Sequence, residues 1–278
     1  MSAQKLQDTY NQQGYVSGLP VLSPAELSDA RQAFSALEEE FGKEYTQYSL
    51  HNVHLQYQWV MALAKNPRLL EAIKSVVGPD VLLLDSRFIC KYPTSGAGAA
   101  TTDQANGTVP EDQLPFVAWH QDMRYWGIDG GPVLSVWLAL DDSLEDNGAL
   151  KVIPGNTAFC LLAKRHGNML SVNQEIPEHL VDSGKAVLCP LLAGQMSIHD
   201  GFLVHASDPN MSQRRRCGLV IRYVPPFAYP IHVSTVSRST VMSMMRSWSC
   251  TWVMPSARLC VHHCEWLTLS VTPPLIGP

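Results

Sequence analysis

The chain lacks any apolar run of the ~18 residues that a membrane-spanning helix needs, so no span is expected. Its opening, Met1-Ser2-Ala3-Gln4-Lys5-Leu6-Gln7-Asp8, has no basic-then-apolar layout, and a secretory route is not expected. The ending Leu275-Ile276-Gly277-Pro278 is not the Ser-Lys-Leu of peroxisomal import. Positive charge is not in excess: 20 Lys and Arg stand against 25 Asp and Glu, which argues against a nucleic-acid partner. An even cysteine framework is missing too. Seven cysteines (Cys90, Cys160, Cys189, Cys217, Cys250, Cys260, Cys264) in a long chain read as reduced thiols of a cytoplasmic protein. The sequons at Asn106 and Asn210 then read as chance matches. Heptads, Gly-X-Y periods, internal repeats and a nucleophile elbow are also absent.

What is present is enough apolar chain for a substantial core: 278 residues, 46% of them hydrophobic. The first ~80 residues read as helical. Ser23-Pro24-Ala25-Glu26 supplies a cap, a helix-starting proline and a capping-box glutamate. Leu27, Ala30, Phe34, Leu37 and Phe41 follow at helical spacing up to Gly42. A second helix runs from Asn66-Pro67 to Gly78-Pro79 with Leu70, Ile73 and Val77 inward, and a third lies around Gln56 to Ala64. From Val81 the pattern turns to short β-type runs: 81–91, 116–120, 133–140, 149–153, 186–188, 195–199 and 217–224. Helices followed by many short strands predict an α+β chain, a double-stranded β-helix (jelly roll, cupin-like) under N-terminal helices.

Two segments stand apart. Thr94 to Gln113 is small, polar and rich in Gly, Ala and Thr, and reads as a lid. Residues 231–278 have no Lys, no Asp and one acid, Glu265, yet hold Trp248, Trp252 and Trp266. They read as an atypical tail after a domain of residues 1–230, poorly packed and dispensable for the site. Cys260-Val261-His262-His263-Cys264 has zinc-like residue types, but four ligands in five positions cannot converge on one tetrahedral ion.

The chemistry sits at Trp119-His120-Gln121-Asp122, which ends a β-run. Residues two apart on a strand share a face, so His120 and Asp122 are expected to project together and Gln121 away. A neutral imidazole and a carboxylate suit a divalent first-row metal. His205, in Gly201-Phe202-Leu203-Val204-His205-Ala206-Ser207, is the best third ligand, giving a two-histidine, one-carboxylate triad with open positions. His199 reads as a buried hydrogen-bonded histidine near it. Downstream, Arg216, Gly218, Val220 and Arg222 alternate onto one face. Arg216 can clamp a carboxylate bidentately, with Gly218 leaving room for a ligand, while Arg214 and Arg215 read as a solvated basic turn.

These pieces, with Leu138-Ala139-Leu140-Asp141-Asp142, Asn147-Gly148-Ala149-Leu150, Val152-Ile153-Pro154-Gly155, Gly194-Gln195 and Pro209-Asn210, resemble the phytanoyl-CoA dioxygenase family of Fe(II)- and 2-oxoglutarate-dependent oxygenases over residues 8 to 230. Tyr125-Trp126-Gly127 and residues 170–175 look most like its 2-aminoethylphosphonate dioxygenase branch. The resemblance implies that His120, Asp122 and His205 bind iron and that Arg216, helped by Ser207, holds the distal carboxylate of 2-oxoglutarate. It adds Trp126 and Lys91 as co-substrate-pocket residues; a solvated strand end is the other reading of Lys91. Arg124, Tyr125 and Trp137 are the candidates facing a small-molecule substrate. Implied with these are molecular oxygen, succinate and carbon dioxide as co-products, and ascorbate as a candidate reductant. A carboxylate at 122 argues against a halogenase. The rival readings are a non-catalytic metal-binding jelly roll and a cupin-like dioxygenase without 2-oxoglutarate. Only the 2-oxoglutarate reading requires Arg216.

Overall fold

The structure is a computed structural model that describes residues 1–93, 114–155, 163–164, 174–230, 251–253 and 260–261. Helices come first. α1 (Ala3–Gln13), α2 (Pro24–Phe41), α3 (Lys43–Tyr48), α4 (Gln58–Ala64) and α5 (Pro67–Val77) are interrupted only by the strand β1 (Tyr15–Pro20) and a 3-10 turn. α2 starts as its sequence predicts. The Ser23 hydroxyl accepts from the Glu26 amide at 3.3 Å while the Glu26 carboxylate accepts from the Ser23 amide at 2.7 Å. The same carboxylate takes Arg68 at 2.7 Å and Asn66 at 3.3 Å, tying the start of α2 to the start of α5. Phe41, expected inward, is instead 39% exposed, because α2 ends there and leaves the core.

The strands follow as β2 (Val81–Lys91), β3 (Val117–His120), β4 (Ile128–Asp129), β5 (Leu134–Ala139), β6 (Leu150–Val152), β7 (Ala163–Lys164), β8 (Gln174–Glu175), β9 (Val187–Cys189), β10 (Gln195–Asp200), β11 (His205–Ser207), β12 (Arg216–Val224), β13 (Tyr229–Pro230), β14 (Thr251–Val253) and β15 (Cys260–Val261). A short helix, α6 (Met123–Trp126), lies between β3 and β4. A seven-stranded antiparallel sheet has the order β1-β10-β5-β12-β2-β14-β15, and a four-stranded sheet has the order β3-β11-β6-β9. The two sheets make the expected jelly roll. β1 joins the sheet edge beside β10, which its Gly18 and Pro20 conceal in the sequence.

Alternation divides the larger sheet into two faces. Leu134, Val136 and Leu138 of β5 and Cys217, Leu219, Ile221 and Tyr223 of β12 pack into the core shared with the helices. Phe34 of α2 meets Phe88 of β2 at 4.7 Å between ring centroids. The Tyr223 hydroxyl donates to the Ala64 carbonyl of α4 at 2.5 Å. Phe34, Leu69 and Ile73 are fully buried, each contributing about 1.5–3 kcal/mol by leaving water. The other face, with Ser135, Trp137, Arg216, Val220 and Arg222, looks between the sheets. The helices thus keep one face of the sheet dry and rigid, which leaves the opposite face free to carry polar side chains.

The expected lid, residues 94–113, lies outside the described residues, as do most of 231–278 and the Cys260–Cys264 cluster apart from the backbone of β15. β14 pairs with the margin of the sheet at Leu83, Leu82 and Val81 of β2. Truncation after Pro230 removes only that short edge pairing from the described sheet. The shortened chain is expected to melt cooperatively and to bind a divalent metal with unchanged stoichiometry. Calorimetric melting and metal titration check this; an unfolded product would show the edge strands to be structural.

Candidate metal centre

His120 ends β3 and His205 opens β11, and the two are direct partners in the antiparallel pairing of these strands. Their rings lie 4.1 Å apart between centroids. Asp122 completes the cluster, though not by strand alternation as the sequence suggested. It has left the strand: its backbone is helical, at φ −61 and ψ −39, where it caps α6. The turn swings its Oδ1 to 3.5 Å from His120 Nε2 and 4.0 Å from His205 Nε2. Gln121 anchors that turn by donating to the Phe202 carbonyl at 2.5 Å, and the Met123 amide donates to the Gly201 carbonyl at 2.9 Å. Both bonds tie the β3–α6 turn to the segment that leads into His205.

The cluster fits a divalent first-row metal. One donor atom from each of the three buried residues lies within 4.8 Å of the others. Nδ1 of His120 is 2.8 Å from the Ala118 carbonyl, and Nδ1 of His205 is 2.8 Å from the Leu203 carbonyl. A carbonyl can only accept, so each Nδ1 carries the proton and each Nε2 keeps its lone pair for a metal. Burial, reinforced by His120 and His199, holds His205 well below the usual imidazole range, so it stays neutral. Burial alone would raise Asp122, but the Arg222 guanidinium outweighs it and keeps the carboxylate ionised. Two neutral nitrogens and one anionic oxygen on one side of a site are the donor set expected for Fe(II) with positions left open.

A cavity of about 60 Å³ adjoins the triad, walled by Ile89, Val117, Leu150, Ala206 and Val220. Ser207 and Arg216 also line it, and Lys91 bonds Ser207. Lys91 is a buried residue rather than a solvated strand end, only 2% exposed. Its Nζ donates to the Ser207 hydroxyl at 2.6 Å, the Ser207 carbonyl at 3.1 Å and the Asp208 carbonyl. Arg216 is its register partner across β2 and β12 and is equally buried. The guanidinium sits 4.5 Å from the Trp137 ring centroid and donates to the Gly148 carbonyl, while its Nε has no partner among the described residues. Burial pushes Arg216 down to about 10, and burial together with Arg216 pushes Lys91 well below its ordinary value. Among the described residues neither side chain is ion-paired with a carboxylate, although Asp208 acts on Lys91 from a distance, so the pair has the chemistry to receive an anion.

Two glycines shape the surroundings of Arg216. Gly148 has φ +78, and a Cβ there would collide with the Asp208 carbonyl, so only glycine brings its own carbonyl to Arg216. A Cβ on Gly218 would collide with the Trp137 indole. The space that the sequence reading gave to a ligand at Gly218 is therefore filled by Trp137. Arg215 also differs from expectation: it is not solvated but ion-paired with Glu38 and, at 2.7 Å, with Asp141. Arg214 is exposed, as expected, and pairs with Asp146 at 2.8 Å. These pairs line a surface groove of ≈ 520 Å³ in which the opposite charges of Arg31, Glu38, Asp141 and Arg215 neutralise one another.

Around Asp122 lie residues the sequence reading missed or placed elsewhere. Trp126 is not brought to Arg216; its ring lies 4.6 Å from the Arg222 guanidinium. Arg222 bonds Asp85 at 2.6 Å and approaches Asp122 at 3.4 Å. Ser135 donates to Asp122 Oδ2 at 2.9 Å. His199 is buried, but neither ring nitrogen is hydrogen-bonded among the described residues; its Nε2 is 3.9 Å from Asp122 Oδ2, and burial pushes it down to about 4. Alternation along β12 already marked the face of Arg222; its acidic partners are visible only once the strands pair. Arg124 and Tyr125 fall on α6, next to Asp122, and their side chains lie outside the described residues.

Residues 10–218 match the family model of phytanoyl-CoA dioxygenase (PhyH). A probable alpha-ketoglutarate-dependent hypophosphite dioxygenase from Stutzerimonas stutzeri is 24% identical over 66% of this chain and 58% of its own length. Phytanoyl-CoA dioxygenase domain-containing protein 1 of Bos taurus is 31% identical over 36% of each chain. The chain thus spans less than two thirds of these relatives. Among solved structures, the non-heme monooxygenase ThoJ is similar at 27% identity and a TM-score of 0.62, over 81% of this chain and 79% of that one. In the described residues no helix is long and apolar enough to cross a membrane.

Replacing His120, Asp122 or His205 by Ala is expected to abolish stoichiometric binding of Fe(II), because two remaining donors hold the ion too weakly. Anaerobic titration reads the outcome; an Asp122→Ala variant that keeps full metal stoichiometry would remove Asp122 from the ligand set.

Proposed function

The chain belongs to the phytanoyl-CoA dioxygenase family, and from that premise we propose that it is an Fe(II)- and 2-oxoglutarate-dependent dioxygenase that hydroxylates a small organic molecule. The observation that carries the reading is the pairing of the buried His120–Asp122–His205 cluster with a buried Arg216 that has no carboxylate partner among the described residues, beside the buried Lys91. A non-catalytic jelly roll has no need of the second feature, and a dioxygenase that dispenses with 2-oxoglutarate has no need of Arg216.

The triad would hold Fe(II). When bound with 2-oxoglutarate, that ion supplies oxygen activation coupled to loss of carbon dioxide, with succinate and a hydroxylated product. The protein does the rest. Arg216 meets the distal carboxylate with its planar fork, and the Gly148 carbonyl and Trp137 ring fix the plane of that fork beforehand. Lys91 and the Ser207 hydroxyl it orients add donors beside it. The apolar wall of Ile89, Val117, Leu150, Ala206 and Val220 excludes water and strengthens each of these contacts. Substrate approaches from the α6 side, where Arg124 and Tyr125 are the candidate contacts, and a small anionic or zwitterionic molecule suits them. Trp137, by its contact with Arg216, serves the co-substrate rather than the substrate. Ascorbate is the candidate reductant.

Arg216→Ala is expected to raise the 2-oxoglutarate requirement steeply, since losing a desolvated bidentate partner costs about 2–5 kcal/mol. Arg214→Ala should cost about 0–1 kcal/mol, because that charge is exposed. Succinate release against 2-oxoglutarate concentration measures both; equal effects would show that Arg216 is not the carboxylate clamp. Absence of succinate from the metal-loaded wild-type protein, with and without candidate substrates, would overturn the dioxygenase reading.

A further inference from the structure

A row of polar residues crosses the larger sheet beside the metal cluster. His199 of β10 is in register with Ser135 of β5, Ser135 with Arg222 of β12, and Arg222 with Asp85 of β2. Four consecutive strands thus place four polar side chains side by side, and three of these meet one atom, Oδ2 of Asp122. Ser135 Oγ donates to it at 2.9 Å, Arg222 Nη2 lies at 3.4 Å, and His199 Nε2 lies at 3.9 Å. Oδ1, the other oxygen of the carboxylate, faces His120 and His205.

We propose that Arg222 is a positioning residue for the metal: with Ser135 it holds Oδ2 of Asp122, so that Oδ1 alone is presented as a ligand oxygen, and Asp85 holds Arg222 in place. The inference rests on the dioxygenase reading and deepens it. The terminal torsion of an aspartate is broad, so an unheld carboxylate could rotate or offer both oxygens. A second oxygen on the ion would occupy a position that the co-substrate or oxygen requires.

The charge pattern distinguishes this role from anion binding. Arg222 stands between two carboxylates, Asp85 at 2.6 Å and Asp122 at 3.4 Å, and Asp85 is itself shared with Arg87 at 3.3 Å. Acids and bases alternate along this chain of contacts, so Arg222 is compensated where Arg216 is not. Its two terminal nitrogens address two different acids from fixed positions in one plane, whereas an ammonium would have to reach both from a single atom. The Trp126 ring, 4.6 Å from the guanidinium, covers the fork and limits its movement.

The test uses the full chain loaded with Co(II), read by calorimetric titration and by the visible ligand-field spectrum, without 2-oxoglutarate or oxygen. Arg222→Lys keeps the buried positive charge, so the fold survives, but it loses the fork. It is expected to weaken Co(II) binding about 10–100-fold and to change the spectrum, as loss of an outer partner of a metal ligand does. Ser135→Ala removes the other hold on Oδ2 and should produce a change of spectrum in the same sense with a smaller loss of affinity. Circular dichroism melts establish folding, and if Arg222→Lys does not fold, Ser135→Ala decides. Folded variants that keep wild-type affinity and spectrum would overturn the proposal. So would a lower melting temperature with an unchanged Co(II) spectrum, which is the signature of a merely structural role. Failure of the wild type to release succinate would count against the dioxygenase reading while leaving this measurement intact.

Discussion

The register between β3 and β11 is the constraint on which the rest of the site depends. It sets His120 opposite His205, and a slip of one residue would turn one imidazole to the other face of the sheet. The pairing is short, and it is fixed from outside itself. β11 also pairs with β6, and the Gln121 and Met123 contacts lock the turn after β3 to residues 201 and 202. Asp122 arrives on that locked turn. The cluster of His120, Asp122 and His205 is therefore a product of sheet register and one tight turn, not of three independent side-chain choices.

The two arginines of β12 show how one strand face carries two electrostatic tasks. Arg216 and Arg222 point into the same space between the sheets. Arg216 has a carbonyl, an aromatic ring and a neighbouring lysine, and no carboxylate among the described residues. Arg222 has two carboxylates. A buried charge without a counterion is costly in the empty protein and stabilises an incoming anion; a paired one fixes geometry instead. The backbone stitching around Arg216 supports its state. Asn210 donates to the Lys91 carbonyl at 3.0 Å and to the Arg214 carbonyl at 2.7 Å, closing the turn that leads into β12. Asn147 similarly closes the turn that presents Gly148, donating to the Asp142 carbonyl at 2.8 Å. The Asn-Gly and Pro-Asn pieces of the sequence pattern thus act by shaping the loops around Arg216 and Lys91.

Much of this was legible in the residues. Caps and apolar spacing gave α2, α4 and α5 close to their observed limits, and the β-type runs gave β2, β3, β5, β6, β9, β10 and β12. His120, Asp122, His205 and Arg216 were legible as candidates because each belongs to a short local pattern. What stayed hidden was of another kind. β1 lacks a strand-like composition and is held by pairing with β10. Arg215 looked like part of a basic turn because Glu38 and Asp141, its partners, are remote in sequence. Gly218 looked like space for a ligand because nothing local shows that Trp137 lies across it.

The sequence by itself determined the elements, the face of β12 that bears Arg216 and Arg222, and the residue types able to hold iron and a carboxylate. Those follow from local rules: propensity, capping, and the two-residue period of a strand. Only the tertiary structure decided that Asp122 reaches the histidines from a helical turn. It alone decided that Lys91 is buried beside Arg216, and that Arg222 is spent on Asp85 and Asp122 rather than left for an anion. The reason is physical. Charge compensation and desolvation depend on which atoms come within a few ångströms of each other, and in a jelly roll those atoms belong to strands far apart in the chain.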